Sequence, residues 1–247
     1  MNIHESAGRP AGTMRIDTRA AGVLMLASAI VSIVFVALDP EVTASTSRAI
    51  LEGVVANGPM HRIVHAVELA CVLGLAFGFA SLAASTGSQK SAVRGALIAY
   101  VVGCVAMVVA AVTDGFITGD VASYYLKAGH SVDTGREMIH LCYVVVQDFA
   151  AASWFFQSVG VLAMAFALLR ERGLQRVVGV LGLATGAVPP IAIVATWPTM
   201  DTGVVLGILS AQLVWNVAAA VLLMRRPASG KASGEASVAL PHMPMAA

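Results

Sequence analysis

The sequence predicts an all-α polytopic membrane protein, a bundle of six transmembrane helices with short surface helices in outer loops 1 and 3. Three observations predict it. Hydrophobic side chains make up 58% of the 247 residues and charged ones 12%, about half the ~25% charge content usual in soluble domains. Mean hydropathy is +0.82. The apolar residues also gather into six blocks, at 20–38, 60–83, 93–113, 138–169, 177–197 and 203–224, each long enough to cross ~30 Å of hydrocarbon. These features exclude a soluble enzyme. Fifteen basic residues against 14 acidic ones give a net charge of +1, and no basic cluster is dense enough to make nucleic acid a partner.

The elements follow in order. Arg15 and Arg19 precede the first block, but its apolar core is long and no small-x-small cleavage site follows, so it reads as an uncleaved helix and not a signal peptide. Residues 41–57 carry Val42, Ile50, Leu51, Val54 and Val55 among polar residues, the pattern of an amphipathic helix lying on the membrane surface. The second span begins at Pro59, a residue suited to a first turn. The third loop, 115–136, is long enough for another surface helix. The fourth block is long and must tilt or project beyond the bilayer. The fifth contains Pro189-Pro190, which breaks a helix and points to a nearby cavity, because freed carbonyls in a membrane need polar partners.

Charge placement predicts orientation. One set of loops and termini carries 11 of the 15 basic residues, leaving Arg48, Arg62, Lys127 and Arg136 on the other side. Both termini are expected in the cytoplasm of an inner membrane, with loops 1 and 3 outside, in the periplasm of a bacterium. The expected division is a cytoplasmic segment at 1–19, a transmembrane domain at 20–226, and a disordered cytoplasmic tail at 227–247, rich in Ala, Ser, Gly and Pro. Cys71, Cys104 and Cys142 lie inside apolar blocks without a C-x-x-C pair, so no disulfide framework is indicated.

Ionisable residues inside a bilayer are costly and need a reason. At ~100° per residue His61, His65 and Glu68 share an arc of about 60° on the second span. Glu137, His140 and Gln147 share a face of the fourth, with Asp148 at its edge, and Asp114 ends the third. Small residues beneath Asp114, among them Gly103, allow close helix approach. Gln212, Trp215 and Asn216 add a polar face on the sixth. Together these predict an outward-facing pocket walled by spans two, three, four and six.

His-x-x-x-His presents two imidazoles to one ion, and further ligands from other helices complete a tetrahedral or octahedral site. The expected ligands are His61, His65, His140 and Asp114, with Glu68 and Asp148 as catalytic carboxylates. A divalent metal, zinc or iron, is the expected cofactor. The function this implies is zinc-type hydrolysis of a small or lipid-like ligand. In spacing alone the histidine pair resembles the membrane-embedded zinc amidases of the ceramidase type; those have seven spans and carry the pair on a late helix, so the chain is not assigned to them. Three other readings compete: haem held by His61 or His65 and His140 in a redox subunit, a proton- or cation-coupled transporter using Glu68 and Asp148, and a scaffold whose buried polar groups only fix packing. Besides the lipid bilayer, a membrane-protein partner or a second copy of the chain stays open.

Overall fold

The structure, a computed structural model, describes residues 17–40, 42–87, 90–196 and 202–226. All regular structure among them is helical: α1 (Thr18–Ala37), α2 (Ser47–Gly87), α3 (Ser91–Val112), a π-helical turn (Thr113–Thr118), α4 (Gly119–Tyr125), α5 (Val132–Leu169), α6 (Leu174–Gly186), α7 (Val188–Thr196) and α8 (Thr202–Arg225). Six segments are long and apolar enough to span a membrane, with α3 to α4 and α6 to α7 each counting once. The expected tail at 227–247 and most of the N-terminal segment lie outside the described residues.

The six spans close a ring in chain order. α1 packs on α2, α2 on α3, α3 most extensively on α5, α5 on α6, α6 on α8, and α8 back on α1. Glycines set the close approaches. A Cβ on Gly103 would lie 2.7 Å from the Ser153 carbonyl oxygen, and one on Gly160 would lie 2.8 Å from that of Ala96. The α3–α5 contact is therefore backbone against backbone, as the small residues beneath Asp114 predict. Gly22 plays the same part where α1 meets α8, facing the Ala220 carbonyl at 2.8 Å. In the middle of the ring Phe79 stacks on Tyr100 with ring centroids 4.0 Å apart and meets Trp215 at 5.7 Å. The outer surface is apolar, with Ile98, Phe166 and Val194 exposed. Exposed apolar side chains of this size and number fit hydrocarbon and not water.

Both outer segments are helical as expected, yet neither lies apart as a surface helix. Residues 47–58 continue directly into α2, so the helix starts 12 residues before Pro59 and carries that proline inside it. Loop 3 shortens likewise, because the third span continues through the π turn into α4. An amphipathic pattern specifies which face is buried and not whether the axis bends. Leu51 is fully buried and packs against Gly135 of α5, which holds the extension upright. The fifth span does break, between α6 and α7. Pro189 and Pro190 fall in the first turn of α7, where no intrahelical N–H bond is lost.

Candidate metal centre

Four side chains from three segments converge at one end of the ring. Asp39 follows the end of α1, where Leu38 N–H bonds to Phe35 and Asp39 N–H to Val36. Pro40 cannot extend that helix, so the chain turns and leaves Asp39 beside α2. His61 and His65 come from α2, one turn apart on one face. Asp114 sits in the π turn, whose extra residue per turn rotates it relative to an α-helical course. Hydroxyls steady that turn: Thr113 donates to the Val109 carbonyl at 2.8 Å and Thr118 to the Thr113 carbonyl at 2.9 Å. Glycine at 115 lets it approach α2, since a Cβ there would press on His65 Cβ and lie 2.8 Å from its Cγ.

One potential ligand atom from each of Asp39, His61, His65 and Asp114 lies within 4.8 Å of every other. His61 Nδ1 is 2.7 Å from Asp39 Oδ1, and its Nε2 is 3.2 Å from Asp114 Oδ1. A neutral imidazole donates from one nitrogen only. Holding both carboxylates as hydrogen-bond acceptors therefore takes an imidazolium, or else a cation replaces one of the bonds. His65 Nε2 faces the remaining oxygens, Asp39 Oδ2 at 3.7 Å and Asp114 Oδ2 at 3.5 Å. Those separations are too long for hydrogen bonds. His65 is 6% exposed and its Nε2 has no hydrogen-bond partner, an arrangement that costs stability unless something else satisfies it. Ligands ~2.0 to 2.2 Å from one tetrahedral ion stand about 3.3 to 3.6 Å apart, near the 3.7 and 3.5 Å from His65 Nε2 to the two carboxylates, while the four ligand atoms as a set lie within 4.8 Å of one another.

Glu68 completes the cluster by accepting from His65 Nδ1 at 2.9 Å. That bond fixes the tautomer that leaves the Nε2 lone pair free, as the carboxylate partners of metal-bound histidines do. With neutral rings Asp39 and Asp114 carry a charge of −2, which one divalent cation would cancel, and Glu68 adds a third negative charge beside His65.

The cluster opens into a cavity of about 740 Å³. Its walls come from α1, α2, α3 with the π turn, α5 and α8, so the four spans expected around the pocket all contribute and the first joins them. His61, His65, Glu68, Asp114 and His140 line it. His140 stands on the α5 wall, outside the group of four. Asp148 is exposed and does not line the cavity, in contrast to its expected place. At ~100° per residue it points well away from Gln147, which does face inward. No described residue of α6 or α7 lines the cavity either, so the double proline does not mark its wall. Gln212, Trp215 and Asn216 lie instead at a separate void of about 10 Å³, with Gln157 and Ser158. Arg62 pairs with Asp120 at 2.5 Å.

Asp39 escaped the sequence reading. Its signal was an Asp-Pro pair at the outer end of the first block, level with the start of the second span.

No family model, curated protein or solved structure matches the chain.

Proposed function

We propose that this is a metal-dependent membrane protein of the hydrolase type, in which Asp39, His61, His65 and Asp114 hold a divalent ion, zinc or iron, at the head of a cavity for a lipid-like substrate. One observation carries the reading: His65 Nε2, buried and without a hydrogen bond, faces two carboxylate oxygens at ligand spacing. Mixed imidazole and carboxylate donors suit zinc and iron. They speak against haem, whose axial histidine meets a flat porphyrin and not a pair of carboxylates. An ion there would supply a Lewis acid, and a water of lowered pKa would need a fifth coordination position beside the four side chains. Around it Glu68 holds His65 in one tautomer, Asp39 and Asp114 balance the charge, and the apolar walls limit access by bulk water.

The reading places the site on the periplasmic side of the inner membrane with both termini in the cytoplasm. Eight of the twelve described basic residues, Arg19, Lys90, Arg94, Arg170, Arg172, Arg176, Arg225 and Arg226, flank the opposite ends of the spans. The Lys90–Glu171 ion pair at 2.9 Å and the Arg226–Thr86 hydrogen bond at 3.2 Å tie those ends together. The test is elemental analysis of the purified chain. About one zinc or iron per chain in the wild type, lost in His65→Ala with the helices still inserted, supports the proposal. Equal and negligible metal in both would sink it.

A further inference from the structure

The cavity is long, and its polarity changes along its length. On α5 its lining runs from Arg136 through His140 and Gln147 to Trp154, a rise of about 27 Å at 1.5 Å per residue. An extended polymethylene chain, ~4 to 5 Å across by van der Waals spacing, can lie along a cavity of that length and of about 740 Å³. Beyond His140 apolar side chains dominate the walls, with Met107, Ala110, Val146, Ala150 and Leu209 around the single amide of Gln147, and Trp154 lies at the far end.

The near end carries one arginine, Arg136, on its α5 wall. Arg48 is paired with Glu52 and Arg62 with Asp120. Arg136, which lines the cavity, has no ion pair among the described residues. His140 stands one turn further along the same wall. With Asp39 and Asp114 neutralised by a divalent ion and Glu68 engaged by His65 Nδ1, the guanidinium of Arg136 is the charge on the cavity wall left without a partner among the described residues. It attracts anions, and a guanidinium binds planar or tetrahedral oxyanions with two donors at once.

Resting on the metal reading above, we infer that the cavity takes an alkyl-chain amphiphile with an oxyanion headgroup, carboxylate or phosphate, seated between Arg136 and the metal centre with its chain running toward Trp154. Arg136 then selects the headgroup, and the apolar walls hold the chain.

The test uses the full chain, loaded with zinc, in nanodiscs of phosphatidylcholine. The probes are dodecanoic acid, dodecyl phosphate and dodecanol, each brominated at the chain end to quench tryptophan. The expected result is saturable quenching by one or both anions, removed by Trp154→Phe, with the alcohol binding about tenfold or more weakly, as loss of a charge-assisted hydrogen bond implies. The anion that binds more tightly identifies the headgroup. Arg136→Gln should abolish the preference for the anion, and Arg136→Lys should keep part of it. Arg136 is exposed, so neither change threatens folding. Zinc is measured on the same samples. A wild type that holds no zinc sinks the proposed function and this inference together. A zinc-loaded wild type that binds the alcohol as tightly as both anions, or an Arg136→Gln variant that keeps the preference, sinks the inference alone.

Discussion

Replacing Gly115 by alanine tests the metal centre without touching a ligand. The new Cβ would press on His65 Cβ and lie 2.8 Å from its Cγ and 2.9 Å from its Cδ2. Carbon atoms in contact prefer ~3.5 to 4.0 Å, so the π turn and α2 must separate by about 0.6 to 1.2 Å. Metal sites tolerate donor displacements of only ~0.2 Å. Either His65 and Asp114 move out of joint reach, or the protein bears strain of the ~1 to 3 kcal/mol typical of overpacking. If that strain falls on the bound state, affinity drops by about 5- to 140-fold. The assay is competition for zinc against a chromophoric chelator, with thermal unfolding followed in parallel. Gly119→Ala is the control, since nothing lies within 4 Å of its added Cβ. Gly115→Ala with wild-type zinc affinity and wild-type stability would refute the close approach of the two segments and the site built on it.

Four further outcomes are expected. Glu68→Gln should still bind metal but about 10- to 100-fold more weakly, since the partner that orients His65 becomes neutral; unchanged affinity would show that the bond at 2.9 Å does not tune the ligand. Asp39→Asn should lose most of the metal whereas His140→Ala should keep it, and elemental analysis showing the reverse would restore His140 to the ligand set in place of Asp39. Gly160→Ala should lower stability by ~1 to 3 kcal/mol through the clash with the Ala96 carbonyl at 2.8 Å, read as a fall in midpoint during detergent-induced unfolding. A cysteine placed at Asp120 should react with an impermeant maleimide from outside and one at Lys90 only after permeabilisation; Cys71, Cys104 and Cys142 are buried and should stay silent. The opposite labelling would invert the orientation.

The sequence by itself determined the membrane class, the six spans, the break in the fifth and a face of His61, His65 and Glu68. Each depends on composition or on periodicity along one helix, and a stripe repeats at the same angle wherever its helix packs. Gly103 was legible for a similar reason, because small residues permit close approach whichever neighbour arrives. Tertiary structure decided which helices share a site. Asp39 lies 22 positions before His61 and Asp114 lies 53 after it, and only the closing of the ring brings both within hydrogen-bonding distance of one imidazole. His140 and Asp148 had the residue types for a ligand and a base, yet the placement of α5 puts the first on the far wall and turns the second away from the cavity. Pro59 marked a start by local preference, but the packing of Leu51 against α5 carries the helix through it. Local preferences amount to ~1 to 3 kcal/mol at a single residue, and the burial of a helix face across several turns outweighs them.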